Sequence, residues 1–242
     1  MIRIPRFLRS TDRPRRLPPD FDPSVTAVCR EVAPFTMTSP ERIAALVEAV
    51  RHVSRHAIAG DIVECGVWRG GSMLAVARTL LELGERRRLH LFDTFDGMPP
   101  PGAEDRDRRG VHAANLMAAE DRETGIVWAR SPLEEVRRNV LASGYSETDV
   151  RFVRGRVEET IPDEAPDRIA ILRLDTDWYE STRHELVHLY PRLAVGGVLI
   201  IDDYGHWQGA RQAVDEYFSR NGGRMLLNRI DTTGRIGVKI DP

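Results

Sequence analysis

The sequence predicts an α/β fold, in which helices cover both faces of an open sheet. Short apolar runs alternate with segments of helical periodicity along most of the chain, which is typical of a sheet built from parallel strands. Residues 169–174 and 198–201 form two nearly continuous apolar runs, as buried parallel strands do. The last two apolar runs, at 225–227 and 236–240, have no helix between them and predict a closing antiparallel hairpin.

The first clear helix is predicted to begin at residue 40. Ser39 can cap its N-terminus, and Pro40 suits the first helical position. Apolar residues then recur at the spacing of one helix face, at Ile43, Leu46, Val47, Val50 and Val53. We expect this helix to pack beside the first strand.

A glycine-rich turn over residues 66–72 joins a predicted strand at 61–66 to a helix at 73–83. This arrangement lets backbone N–H groups approach the polar end of a ligand, although glycine spacing alone is a weak signal. The next predicted strand, at 89–93, ends in Asp93. An acid at this place is suited to hydrogen-bonding ribose hydroxyls, and its alternative role is that of a helix cap or turn residue.

The remaining elements continue the alternation of helix and strand. Helices are predicted at 132–141, 181–190 and 209–221, and strands at 150–153, 169–174 and 198–201. No internal repeat and no second domain boundary is visible, so we expect residues 33–242 to form one domain.

Two segments show no periodicity. Residues 1–32 are rich in Arg and Pro and are predicted to be an N-terminal arm, either partly ordered or at a subunit interface. Residues 97–130 follow the carboxyl end of a strand on the expected ligand side. A segment of this length predicts a substrate lid, and its alternative is a solvated charged loop.

Composition excludes several classes of protein. Hydrophobic residues make up 41% of the chain and charged residues 30%, as in ordinary globular proteins. The net charge of −2 argues against nucleic-acid or membrane-surface binding, and no apolar run could span a membrane. Two cysteines and an N-terminus without an apolar signal-peptide core predict a cytoplasmic protein. The arm and the lid favour a homo-oligomer, a dimer or larger.

Three aspartates are predicted to meet at one edge of the sheet. Asp175 follows one apolar run, and Asp202 and Asp203 follow the other. Ligands of open α/β sheets bind beyond the carboxyl ends of the strands. Because three carboxylates in one place repel each other, a cation is expected between them, and Mg²⁺ prefers oxygen ligands. The sequence therefore predicts a magnesium site.

Five separated motifs are FTMTS at 35–39, ECGVWRGGS at 64–72, DTFDGM at 93–98, LRLDTDWYEST at 172–182 and IDDYG at 201–205. Together they resemble the macrocin O-methyltransferase family, whose members use S-adenosylmethionine to methylate sugar hydroxyls of antibiotics. They come in the family's order over roughly residues 33–235. The resemblance implies a Rossmann-like class I methyltransferase fold, with a seven-stranded, mostly parallel sheet and a C-terminal antiparallel hairpin.

The resemblance also implies site residues. Asp175, Asp202 and Asp203 match the metal ligands of the family. S-adenosyl-L-methionine would be held by Met37, Thr38, Glu64, Cys65, Gly66, Val67, Ser72, Asp93, Gly155, Val157 and Asp175. The implied reaction is Mg²⁺-dependent methyl transfer to a sugar hydroxyl of a glycosylated secondary metabolite, a small-molecule glycoside.

The catalytic base is predicted to be an aspartate or a histidine. A sugar hydroxyl is a poor nucleophile until it loses its proton. Enzymes that act on catechol-type acceptors place a lysine shortly after the first metal aspartate, but Lys239 is the only lysine here. Asp175 is therefore the first candidate and His206 the second, although a lone loop histidine is more often a surface residue.

Three other functions are compatible with parts of this sequence. The acceptor could be a phenolic or glycan hydroxyl, or the chain could be a non-catalytic protein that binds S-adenosylmethionine. A nicotinamide-dependent oxidoreductase would share the glycine turn and the ribose acid, but it would not explain the paired Asp202 and Asp203 or the five motifs.

Overall fold

The computed structural model describes residues 17–220 and 225–241, and these residues form one seven-stranded sheet. The strands are β1 (Asp61–Cys65), β2 (Leu89–Asp93), β3 (Val150–Arg154), β4 (Ile169–Leu174), β5 (Leu193–Ile201), β6 (Asn228–Arg229) and β7 (Arg235–Val238). They lie in the order β3-β2-β1-β4-β5-β7-β6. The first five run parallel, and β7 is antiparallel to both β5 and β6. The sequence-based fold class is confirmed.

Helices cover both faces of this sheet. They are α1 (Pro23–Val32), α2 (Pro40–Arg55), α3 (Gly71–Glu82), α4 (Ala113–Ala118), α5 (Leu133–Leu141), α6 (Val157–Thr160), α7 (Tyr179–Leu189) and α8 (Gln208–Arg220). Apolar residues of α2, α3 and α5 form one core with Ile62 of β1. Residues of α6, α7 and α8 form a second core with its neighbour Val63. Successive residues of β1 thus serve opposite cores, as the alternation of a strand requires.

Within the described residues, no helix is both long and apolar enough to cross a membrane.

The structure differs from the sequence interpretation at the N-terminus. Residues 23–32 are not an arm but the helix α1, whose N-terminus is capped by the Asp22 side chain. Val25, Val28 and Val32 are buried against α2 and α3, so this helix belongs to the domain. The expected absence of periodicity was wrong here, because these valines recur at helical spacing. Residues 1–16 of the predicted arm lie outside the described residues.

The closing strands also differ in their bounds. The strand β5 begins at Leu193, five residues earlier than predicted, and includes Gly196 and Gly197. Its pairing with β4 shifts register at Ala170, and Gly196 has a φ of +83°, which a glycine adopts without steric cost. This shift of register allows β5 to continue through Gly196 and Gly197. The hairpin partner lies at Asn228–Arg229, not at 225–227.

The predicted start of α2 is confirmed and is linked to the C-terminal hairpin. The Ser39 hydroxyl accepts a hydrogen bond from the Arg42 N–H (3.2 Å) and donates one to Asp231 Oδ2 (2.6 Å). The Arg42 Nε lies 3.0 Å from the same Asp231 oxygen. Burial opposes the charge of Asp231, but these contacts and the Gly234 N–H outweigh it and lower the pKa of Asp231 to about 2.

We expect Asp231→Asn to lower the free energy of unfolding at pH 7, with the deficit shrinking as the pH falls toward 2. The folded-state pKa of about 2 lies below the ordinary value of 3.8. The stabilisation is therefore present above about pH 4 and is lost as the pH falls through the folded-state pKa. Urea unfolding of both proteins across this range checks it, with the exposed Asp167→Asn as control. A deficit that did not change with pH would contradict the role of the Asp231 charge.

Candidate functional site

A cavity of about 630 Å³ opens at the carboxyl ends of the parallel strands. The glycine-rich turn after β1 and the acidic residues after β4 and β5 line the same cavity. Most of the sequence-predicted site residues lie in its wall: Met37, Thr38, Gly66, Val67, Ser72, Asp93, Gly155, Val157, Asp175, Asp202, Asp203 and His206. The topology of the sheet therefore brings together residues that are as many as 169 positions apart, from Met37 to His206.

Glycines are required where the turn meets its neighbours. A Cβ atom on Gly66 would lie 2.0 Å from the Asp175 carbonyl oxygen, and Gly66 has a φ of +80°. A Cβ on Gly71 would lie 2.5 Å from the Phe35 carbonyl oxygen. Since α3 begins at Gly71, its free N–H groups face this end of the sheet, where a carboxylate of a ligand can bind.

Asp93 links the end of β2 to the glycine turn. Its Oδ2 accepts hydrogen bonds from the N–H groups of Val67 (2.6 Å) and Trp68 (3.1 Å), and its Oδ1 accepts one from Phe95 (2.7 Å). Burial raises the pKa of Asp93 against the effect of these bonds. Asp93 therefore stabilises the turn, which is the alternative role that the sequence offered for it. It also lines the cavity, and its contact with a ribose stays a prediction.

Glu64 and Cys65 do not line the cavity. The Cys65 thiol is buried in the core beneath α7, because neighbouring side chains of a strand point to opposite faces. A direct thiol contact with a cofactor is therefore not available in this structure. The Glu64 Oε1 accepts a hydrogen bond from Arg173 (2.5 Å), and its Oε2 has no partner among the described residues.

Arg173 connects the two sides of the site, and the sequence interpretation gave it no role. The guanidinium is 2% exposed. Its Nη1 donates to Glu64 (2.5 Å) and Asp175 (2.7 Å), and its Nη2 donates to Thr38 (2.9 Å) and Asp202 (2.5 Å). Burial opposes its charge, but the carboxylates of Asp175 and Glu64 outweigh burial and raise the pKa of Arg173. The arginine is therefore a fixed cation among these acids.

Asp175, Asp177 and Asp203 form an acidic group that could hold a metal ion. One carboxylate oxygen from each lies within 4.8 Å of the other two. The Asp203 Oδ2 is buried and has no hydrogen-bond partner among the described residues. Burial and the neighbouring carboxylates raise the pKa of Asp203 well above its ordinary value. Because unpartnered buried carboxylates are costly, the arrangement favours a bound cation.

The third member of this group differs from the predicted one. Asp202 Oδ1 accepts a hydrogen bond from Arg173, and its Oδ2 is paired with Arg42. Both oxygens of Asp202 are therefore directed at arginines, and Asp177 stands beside Asp175 and Asp203 instead. That Asp202 is a metal ligand stays a prediction. To bind a metal ion, its carboxylate would have to give up a hydrogen bond to Arg173 or Arg42.

Asp177 is a site residue that the sequence interpretation missed. It has a φ of +68°, which is uncommon for a residue other than glycine and often marks a functional turn. The side chains of Asp203 and Trp207 lie against its carboxyl, whose pKa burial raises. The available signal was its position two residues after Asp175, in the acidic stretch that follows β4.

His206 lies in the wall of the cavity. Its backbone N–H donates to the Asp203 carbonyl oxygen (2.9 Å), and its ring packs edge-to-face on Trp207 at 4.9 Å. Burial, reinforced by the positive charge of Arg108, lowers the pKa of His206. The role of His206 as a base stays a prediction.

The segment 97–130 is fixed to the domain at several points. The Trp178 Nε1 donates to the Pro99 carbonyl oxygen (2.9 Å), and the Tyr179 N–H donates to Asp105 Oδ1 (2.8 Å). Asp105 is 1% exposed. Since Tyr179 begins α7, the Asp105 carboxylate occupies the N-terminus of that helix, where negative charge is favourable.

The helix α8 holds the same segment. Its Gln208 donates from its N–H to the Arg106 carbonyl oxygen (2.8 Å) and from Nε2 to that of Asp107 (3.0 Å). Trp178 and Trp207 pack edge-to-face beneath it at 4.9 Å. The first part of the predicted lid is thus a wall attached to α7 and α8. Several apolar side chains of the segment 97–130 line the cavity, among them Met98, Val111, Leu116, Ile126 and Val127.

Comparison with known proteins identifies the family. A family model described as macrocin-O-methyltransferase (TylF) matches residues 17–236. The chain belongs to this family. It is 37% identical over 217 residues to a rhamnosyl-tetracenomycin-C 4'-O-methyltransferase of Streptomyces olivaceus, covering 89% of this chain and 80% of the relative. It is 34% identical over 200 residues to the mycinamicin III 3''-O-methyltransferase of Micromonospora griseorubida, covering 82% and 76%.

Solved structures agree with this assignment. The structure of the O-methyltransferase NovP has a TM-score of 0.73 and 34% sequence identity, and it covers 86% of this chain and 83% of its own. CalS11, a calicheamicin methyltransferase, has a TM-score of 0.63 at 18% identity and supports the fold alone. The macrocin-O-methyltransferase family member described here is therefore an O-methyltransferase with a Rossmann-like sheet.

Proposed function

We propose that this enzyme transfers a methyl group from S-adenosylmethionine to a sugar hydroxyl of a glycosylated secondary metabolite, with Mg²⁺ as a second cofactor. The observation that carries the proposal is that the glycine turn and the acidic group line one cavity in a chain of the macrocin-O-methyltransferase family. Two relatives are named as O-methyltransferases of a rhamnosyl-tetracenomycin C and of mycinamicin III.

The wall of the cavity fits S-adenosylmethionine at its two ends. The N-terminus of α3, which includes Ser72, offers hydrogen-bond donors to a carboxylate. Asp93 and Gly155 lie at the ends of β2 and β3, further along the same edge of the sheet. We therefore assign the methionine part to the turn after β1 and the nucleoside to the ends of β2 and β3.

The acidic group fits a hard divalent cation. Three carboxylate oxygens within 4.8 Å of one another leave other coordination positions for water and substrate, as Mg²⁺ requires. When bound, the cation would lower the proton affinity of a coordinated hydroxyl and fix its position. Asp175 and Asp203 belong both to the predicted set and to the observed group, so we assign them as ligands.

Two carboxylates of the acidic group, Asp175 and Asp177, could receive the proton of the acceptor hydroxyl. The acceptor hydroxyl must lose its proton as its oxygen attacks the methyl group, and a carboxylate within hydrogen-bond reach can receive it. Asp175 is the predicted base, and Asp177 is a second carboxylate on the same turn facing the same cavity. Arg173 keeps Asp175 in place through a bond of 2.7 Å. Positioning by such contacts contributes much of the rate.

The outer wall of the cavity fits an apolar aglycone. Val111 is 36% exposed and Ile126 43% exposed, and both line the cavity. Exposed apolar side chains at a cavity mouth mark a binding surface. The sugar would therefore lie at the acidic group, with the aglycone against the segment 97–130.

Methyl transfer and its dependence on a cation can be tested together. We expect product with S-adenosylmethionine and one of the acceptors named for the relatives, such as mycinamicin III, and loss of at least about 90% of turnover with excess chelator. Added Mg²⁺ should restore the rate. A catechol acceptor tests the phenolic alternative. Full turnover in excess chelator would refute the cation, and binding of S-adenosylmethionine without turnover of any acceptor would support the non-catalytic alternative.

The cytoplasmic location and the homo-oligomer stay predictions. Sedimentation of the full chain with and without S-adenosylmethionine would give the number of subunits.

A further inference from the structure

A carboxylic acid that the proposed mechanism does not use lies behind the acidic group. Glu185 is on the face of α7 that packs on the sheet, and its side chain is fully buried. Leu186 and Leu189, which are also buried on this helix, belong to the second core. Burying a carboxyl group in such surroundings costs free energy unless it makes hydrogen bonds. A functional role would account for a carboxyl group at this costly position.

Two polar side chains, Thr176 and Cys65, contact the carboxyl group of Glu185. The Thr176 hydroxyl donates to Glu185 Oε1 over 3.0 Å, and the Cys65 thiol lies against the same carboxyl group. The Glu185 Oε2 has no partner among the described residues. Burial raises the pKa of Glu185 well above its ordinary value, against the effect of the hydrogen bond from Thr176.

Thr176 stands between two members of the acidic group, Asp175 and Asp177. The backbone on one side of Thr176 is fixed, because Gly66 packs directly on the Asp175 carbonyl and the Asp175 N–H donates to the Cys65 carbonyl oxygen (2.8 Å). On the other side, Asp177 has a φ of +68°. A residue in this region persists only when its surroundings hold it there.

The chain is fixed again at Tyr179, whose N–H is bonded to Asp105. Between Asp175 and Tyr179, the Thr176 hydroxyl is bonded to the buried Glu185. The backbone of the same residue is also held, because the Thr176 carbonyl oxygen accepts a hydrogen bond from the Trp178 N–H (2.8 Å). The bond to Glu185 is thus the side-chain contact that holds Thr176 between Asp175 and Asp177. Buried bonds of this kind behind a metal site orient its ligands.

We propose that Glu185 is a positioning residue for the methyl-transfer site, acting through Thr176 on the carboxylates of Asp175 and Asp177. This inference rests on the proposed function, since it assigns those carboxylates to the cation and the proton. Glu185 is fully buried and is not among the residues that line the cavity, whereas Thr176 is. Its contribution is the fixed geometry of the acidic turn.

The test compares variants that keep or remove the acceptor oxygen. Glu185→Gln retains a carbonyl oxygen for the Thr176 hydroxyl, whereas Glu185→Leu and Thr176→Val remove the hydrogen bond. We expect Glu185→Leu and Thr176→Val each to lower kcat by about 10- to 100-fold and to weaken Mn²⁺ binding. The Kd for S-adenosylmethionine should change by less than about threefold. Glu185→Gln should stay within about threefold of the parent protein in all three quantities.

Thr79→Val is the matched control. Thr79 is 1% exposed, and its hydroxyl donates to the Ala75 carbonyl oxygen (2.8 Å) within α3. This variant also loses one buried hydroxyl, but it should leave kcat and Mn²⁺ binding unchanged. The double variant of Glu185→Leu with Thr176→Val should have a kcat no lower than that of the worse single variant, because each change removes the same hydrogen bond.

Three results would overturn the inference: equal kcat in Glu185→Leu and the parent, equal losses in Glu185→Gln and Glu185→Leu, or independent losses in the double variant. A parent protein that binds Mn²⁺ but turns over no acceptor would refute the proposed function alone. The Mn²⁺ titrations would then decide the role of Glu185. A parent protein that neither binds Mn²⁺ nor turns over would overturn both.

Discussion

Asp175→Asn should reduce methyl transfer by about 100- to 10,000-fold while S-adenosylmethionine binds within a few fold of its original affinity. Asp175 belongs to the acidic group and holds Arg173 at 2.7 Å. Asparagine keeps the shape of the side chain but removes its negative charge and its capacity to take a proton. The variant should also bind Mn²⁺ more weakly, because it replaces one of three anionic ligands by a neutral one.

Turnover and calorimetry of cofactor and Mn²⁺ binding measure these effects. Asp167→Asn provides the control, since Asp167 is exposed in the loop before β4 and should lose nothing. Equal losses of turnover and of cofactor affinity in Asp175→Asn would contradict a role in metal binding and proton transfer. They would instead indicate that Asp175 acts mainly on the cofactor.

Arg173→Met should lower the free energy of unfolding by about 3–5 kcal/mol, the usual cost of breaking a buried ion pair by removing one partner. The variant would leave three acids, Glu64, Asp175 and Asp202, without the guanidinium that all three contact. Arg173→Lys should recover only part of the loss. A lysine ammonium is a single point charge and cannot bridge four acceptors in the plane of a guanidinium.

Urea unfolding at constant pH measures the loss. Arg183→Met is the comparison, because Arg183 on α7 has a side chain that is 50% exposed and lies 4.0 Å from Glu180. Removing that exposed pair should change stability by about 0.5 kcal/mol at most. If the two variants were equally stable, the buried arginine would not be the counter-charge of the acids.

The order of elements could be predicted because each is a local pattern. The Ser39 cap, the apolar stripe of α2 and the acid-terminated runs of β4 and β5 are all visible within a few residues, and the structure has these elements. Where the pattern is broken, tertiary contacts decided the outcome. The strand β5 continues through Gly196 because its pairing with β4 shifts register there, which no single segment reveals.

The individual roles of side chains at the site were harder to predict. The sequence places Asp202 and Asp203 side by side, but only the packing of Arg42 from α2 and Arg173 from β4 shows which acid is paired with arginines. Likewise, a glutamate at 185 in a helical pattern resembles a surface residue. Its burial depends on the face that α7 turns toward the sheet. Such roles follow from long-range contacts.

The attachment of the segment 97–130 to α7 and α8 has a consequence for engineering acceptor choice. Its fixed points are the carbonyl oxygens of Pro99 and Asp107, which accept hydrogen bonds from the Trp178 and Gln208 side chains, and the Asp105 carboxylate, which accepts one from the Tyr179 N–H. Leu116 and Ile126 come later and line the cavity, and Leu116 also packs on the cluster of Trp178 and Trp207. A graft that exchanges residues 114–127 with those of a relative would keep every one of these attachment points. We expect such a graft to change acceptor preference while it leaves the glycine turn and the acidic group intact.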